Sequence, residues 1–142
     1  MFKLGVIMEK IEFKSQVCTT RKQSQKLLQL GLKESTADCH WFYHLPTSTW
    51  CIVARPYDGI GTYYPAWSLH RLMEIMPKNI GCYEQFVSCY KNNVMYINDD
   101  GYSFFNRTKN DNLYDGIIDR IKWAIVNQYI NQQFLEGKQC EK

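Results

Sequence analysis

The longest regular pattern of apolar and polar positions in the chain lies near its C-terminal end. Tyr114, Ile118, Ile121, Ile125 and Tyr129 recur every three or four residues, with Ile117 and Ala124 beside them, while Asp115, Asp119 and Lys122 take the other side. This spacing predicts a helix over residues 113–134, with Asn112 and Asp115 as its capping pair. Burying one such isoleucine is worth about 1.5–3 kcal/mol, so this helix is expected to carry much of the core. Residues 137–142 then read as a frayed tail.

Two shorter helices are marked by their ends. Thr20 and Gln23 stand in capping-box register, Leu27, Leu28 and Leu30 supply an apolar side, and Gly31 offers the left-handed residue that closes many helices, which predicts a helix over 21–30. Ser35 to Asp38 reads as a second, short helical start. Ser68 is placed to cap a helix over 69–76, with Trp67 and Leu72 as a hydrophobic staple and Pro77 as its stop.

Strand signals fill the spaces between. Residues 40–45 and 50–55 are rich in aromatic and β-branched side chains, and the Pro-Thr-Ser-Thr stretch at 46–49 has turn chemistry. Residues 55–65 hold two prolines and two glycines and read as a loop. A meander is expected next: a strand over 83–90, a tight turn at 91–93, a return over 94–98, a turn at 99–101 and a third strand over 102–106. Residues 1–18 form a partly ordered extension in which 11–14 alternate like a short strand, and Met8 is an alternative start to Met1. Antiparallel strands between helices predict an α+β fold: a small antiparallel sheet with helices packed on one face and a long C-terminal helix. No repeat or linker divides the chain, so residues 19–136 are read as a single domain.

Composition changes this picture in one respect. Aromatic residues make up 15% of the chain, so large buried areas are available from few residues. The net charge of +3 is unevenly spread: residues 1–33 carry a net +5 and the remainder −2. The basic end, with Arg21, Lys22 and Lys26, is compatible with weak nucleic-acid binding, but without a dense basic run it reads first as a solvated helix face. The six cysteines are irregularly spaced, with no secretory signal before them, which predicts free thiols in a reducing cytoplasm. No stretch reaches the ~20 apolar residues of a membrane span.

Three segments carry a resemblance: residues 18–32 (CTTRKQSQKLLQLGL), 65–77 (PAWSLHRLMEIMP) and 112–123 (NLYDGIIDRIKW). In this order they are similar to a family of small uncharacterised proteins of gut Bacteroidetes, often encoded near prophages or other mobile elements. The resemblance implies an intracellular bacterial setting and an α+β fold. The family has no established activity to carry over, so no residue inherits a role from it.

The candidate chemistry is sparse. Cys39, His40 and His44 are the densest cluster of metal-ligating types, and Cys51, His70, Cys82 or Cys89 would have to complete a zinc site; no C-x-x-C pair is present. The same residues would serve a metal-assisted or thiol hydrolase, yet no cysteine sits in a nucleophile motif. Asp99 and Asp100 belong to a turn rather than a calcium loop, and Gly59 and Gly61 lack the lysine or third glycine of a phosphate loop. The remaining signal is aromatic. Tyr57, Tyr63 and Tyr64, with Arg55, stand on the loop that reads as surface, where aromatic side chains favour partner binding. The expectation is therefore a non-enzymatic accessory or interaction module that needs no cofactor and takes a protein or peptide partner, with nucleic acid as the weaker alternative and homo-oligomerisation open.

Overall fold

The computed structural model describes residues 15–55, 61–88, 90–103 and 109–137. The strand expected at 11–14, Tyr57, Cys89, residues 104–106 of the third meander strand and residues 138–142 of the tail lie outside the described residues. The fold is mixed α+β. Among the described residues, helix α1 (Arg21–Gln29) leads to strands β1 (Cys39–His44), β2 (Thr49–Val53) and β3 (Tyr63–Ala66). Helix α2 (Leu69–Ile75), strands β4 (Asn79–Ile80), β5 (Tyr83–Ser88) and β6 (Asn93–Ile97), and the long helix α3 (Leu113–Val126) follow. The strands form two antiparallel three-stranded sheets, ordered β2-β1-β3 and β4-β5-β6.

The helix ends follow from local chemistry. Thr20 accepts from the Gln23 backbone while the Gln23 side chain accepts from the Thr20 backbone, closing the capping box at the start of α1. At its end Gly31 takes φ 99°, and the Gly31 and Leu32 amides donate to Leu28 and Leu27, a complete Schellman closure with Leu27 and Leu32 both buried. Ser68 caps α2 by accepting from the Arg71 amide, and Trp67 and Leu72 are both fully buried behind it. The short helical start at 35–38 is one 3-10 turn over Glu34–Thr36, and the Asp38 carboxylate instead holds Ser68.

Helix α3 stops earlier than the expected residue 134. Gln128 turns left-handed at φ 62°, its amide donates to Ile125, and the Tyr129 amide donates to Ala124. This is the same Schellman closure without a glycine, so nothing in the local sequence announces it. The turn sends Ile130 into the core and leaves Tyr129 stacked on Trp123 at 5.3 Å and 44% exposed. At the other end Asn112 accepts from Tyr114, but Asp115 does not complete a capping pair; it accepts from Gln23 across the fold at 2.8 Å.

The core sits between the three helices and one face of the β4-β5-β6 sheet. Leu27, Trp67, Leu72, Ile75, Val94, Tyr96, Ile117 and Ile121 are its centre. Gly116 lets α3 lie against the β5–β6 turn, because a Cβ there would stand 2.0 Å from the Asn92 carbonyl oxygen. The β2-β1-β3 sheet stands beside this core, and no residue of β1 or β2 belongs to it. Among the described residues no helix is long and apolar enough to cross a membrane.

Candidate functional site

The β2-β1-β3 sheet holds most of the residues singled out from the sequence. Residues 63–66 are a strand rather than part of a loop: Tyr63 and Tyr64 pair with Phe42 and Trp41 of β1. The loop expectation fails there because hydrogen bonding to β1, a long-range contact, outweighs the local proline and glycine signals. Pro65 is compatible with the strand because β3 lies at the sheet edge, where a missing N–H costs no ladder bond.

Register and alternation sort the side chains onto two faces. His40, Phe42 and His44 share one face with Thr49, Cys51, Val53, Tyr63 and Pro65; Cys39, Trp41 and Tyr43 share the other with Trp50, Ile52, Tyr64 and Ala66. On the first face Phe42 stacks on Tyr63 at 5.0 Å, and Gly61 lies so close that a Cβ would stand 2.2 Å from the Phe42 ring. On the second, the Trp41 indole donates to the Thr19 carbonyl at 2.9 Å, and the Arg21 guanidinium sits 4.3 Å from the centre of the Trp50 ring. The start of α1 is thereby fastened to the sheet.

This placement separates the metal-ligating cluster. Cys39 points to the opposite face from His40 and His44. Along a strand, four residues span about 13 Å, so the two imidazoles cannot close on one ion as they would on a helix. His44 Nδ1 instead bonds the Thr47 hydroxyl at 2.8 Å, while His40 Nδ1 is buried with no hydrogen-bond partner among the described residues. His70 is exposed and pairs with Glu74 at 2.9 Å on α2, and Cys51 and Cys82 are exposed. The described residues bring together no group of three or more His, Cys, Asp or Glu fit to hold a metal.

Two of the thiols, Cys18 and Cys39, are poorly placed for nucleophilic attack. Burial, with the charge of Asp38 and a hydrogen bond to it, pushes the Cys39 thiol above its ordinary pKa. Burial pushes Cys18 up to about 12, with Cys39 and Asp38 adding to the shift. A reactive thiol needs the opposite influence, a cation or helix start that favours thiolate. A cleft of about 640 Å³ lies between the C-terminal ends of α1 and α3, and the described residues that line it are amides and apolar groups including Gln29, Leu30, Gln128 and Gln132, with Glu136 as the one ionisable group among them.

Arg55 is exposed just beyond the end of β2, and Tyr63 and Tyr64 are half-buried on opposite faces of β3, so the described members of the expected binding set do not form one surface. Tyr57 lies outside the described residues. Of the basic residues of α1, Arg21 is engaged with Trp50, while Lys22 and Lys26 are exposed. Two features were not apparent in the sequence: the Arg21–Trp50 contact, and the outer edge of β2, which no described residue pairs with. Comparisons with family models, with curated proteins and with solved structures find no match.

Proposed function

We propose that this chain is a non-enzymatic protein-interaction module, an accessory protein of a bacterial mobile element working in the cytoplasm, whose binding element is the β2-β1-β3 sheet and the connection from β2 to β3. The observation that carries the reading is the position of that sheet. Its strands β1 and β2 add no residue to the core cluster, and the sheet holds aromatic side chains half in contact with solvent. Aromatic groups kept partly exposed on a fastened scaffold are the usual anchors of a binding surface. The genetic setting rests on the resemblance of the three segments named above.

Display of random peptides against the immobilised protein tests the reading. Sequences should be enriched that bind the native chain and lose binding when Tyr57, Tyr63 and Tyr64 are replaced together by alanine, with the cooperative melt of the variant retained. No enrichment, or enrichment indifferent to the triple change in a folded variant, rejects it.

A further inference from the structure

We propose that the outer edge of β2 takes an extended acidic peptide as a fourth strand, a step that rests on the interaction reading above and names the partner's chemistry. Tyr43 donates its amide to Thr62 at 3.1 Å, so the Tyr43 backbone faces β3. Strand alternation then turns Phe42 and His44 toward β2, where they meet Cys51 and Thr49. The backbone N–H and C=O groups of Trp50 and Ile52 are left facing away from the sheet.

Folded chains guard such an edge with proline, with charge or with a covering segment. The other edge of this sheet has two of these guards. Pro65 stands on β3, and beyond it Cys18 bridges Ser68 while the Thr19 amide donates to Trp67. β2 reads Thr-Trp-Cys-Ile-Val, with neither proline nor charge, and Thr49, Cys51 and Ile52 are exposed. Among the described residues nothing pairs with its outer side.

Charge selects the occupant. The strands β1, β2 and β3 contain no Asp, Glu or Lys. Asp38, just before β1, is held by Ser68 at the far side of the sheet. Arg21 lies over Trp50 of β2, and Arg55 is exposed just past the strand's end. An added strand places every second side chain on the Arg21 face, and a carboxylate opposite Trp50 meets that guanidinium. A second copy of the chain is the poorer fit: β2 against β2 brings two Arg21 side chains onto the same face, and the strands of this sheet supply no carboxylate to set between them. Single-stranded nucleic acid needs free ring faces for stacking, and here Phe42 is stacked on Tyr63 and Trp50 is covered by Arg21.

The test uses the full chain labelled with nitrogen-15 and two capped hexapeptides, (Glu-Val)3 and (Lys-Val)3. With (Glu-Val)3 the Trp50 and Ile52 amides should gain protection from solvent exchange while the Cys51 amide, already bonded to β1, changes little. Arg21→Gln should weaken binding about fivefold, the loss expected for one exposed ion pair. Ile52→Pro removes an outward N–H at an edge position that tolerates proline, and should abolish binding with the spectrum still dispersed. If that variant does not fold, the protection of Trp50 and Ile52 in the native chain decides alone. Equal binding of (Lys-Val)3, displacement of the peptide by oligothymidylate, protection that grows with protein concentration without peptide, or no protection at millimolar peptide overturns the proposal. If the hexapeptide fails while displayed peptides still depend on the tyrosines, the strand edge is discarded and the wider interaction reading stands.

Discussion

Gly116→Ala is the sharpest probe of how the fold is held together, because two effects of opposite sign meet at one atom. Alanine is the better helix former, and inside α3 the change alone would add about 1 kcal/mol of stability. Against this, the new Cβ would stand 2.0 Å from the Asn92 oxygen, 3.0 Å from its carbonyl carbon and 3.2 Å from Asn110 Nδ2. Non-bonded carbon and oxygen keep about 3 Å apart, so helix or turn must shift by roughly 1 Å, and such a gap forfeits about a quarter to a half of each dispersion contact on that side. The turn resists movement. Asn92 is left-handed at φ 48°, and its side chain donates to the carbonyls of Asn110 and Asp111 at 3.1 and 3.3 Å. The obstructing atom is also backbone, so no rotamer change removes it. Overpacking of this kind costs about 1–3 kcal/mol and each strained hydrogen bond about 1 kcal/mol. After the helix gain is subtracted, Gly116→Ala is expected to destabilise by about 2 kcal/mol and to lower the melting temperature by about 4–8 °C. Urea unfolding followed by tryptophan fluorescence, with calorimetry, measures both. A variant as stable as the native chain, or more stable, refutes the claim that contact of α3 with the β5–β6 turn needs a glycine.

Three further outcomes follow from the same contacts. Gln128→Gly should raise stability by about 0.5–1 kcal/mol in urea unfolding, because the residue is left-handed at φ 62° in the closure of α3. Trp67→Phe should cost about 2–3 kcal/mol by the same measurement, since it leaves a void at a fully buried position and deprives Thr36 Oγ1 of the indole donor 2.9 Å away. The Cys18 thiol is raised to about 12 in the folded chain by burial, so the unfolded chain loses this proton first; stability is fully present below the ordinary thiol pKa and falls as pH rises from about 9 toward 12. Tyr96, pushed up to about 12, and Tyr114, also raised, add the same trend at higher pH. Urea midpoints between pH 8 and 10 should therefore fall in the native chain and fall less in Cys18→Ala; parallel curves would contradict the assignment.

Features resting on short-range chemistry were legible in the sequence. The capping box of Thr20 and Gln23, the closing Gly31, the Ser68 cap with Trp67 and Leu72 behind it, and the stop at Pro77 are each settled within a few residues. The apolar stripe of α3 was legible for the same reason, since one helical period repeats over four turns. The strands β1 and β2 with turn residues between them, and the pairing of β5 with β6, needed only strand-forming runs and turn chemistry.

What the sequence could not determine are the contacts whose partners lie far along the chain. Residues 63–66 become a strand because β1 supplies hydrogen bonds some twenty residues away, which outweigh local loop chemistry. Helix α3 ends at Val126 because Ile130 has a place in the core, and Asp115 turns from its own helix to Gln23. The candidate site changed most. His40 and His44 have the same spacing on a helix or a strand, but the strand's longer rise sets them about 13 Å apart, too far to share an ion. Which edge of that sheet is guarded, and that Arg21 lies over Trp50, depend on how the sheet docks against α1. Local sequence specifies the elements because their energies are short-ranged; the surface they jointly present is a property of packing, and only the tertiary structure decides it.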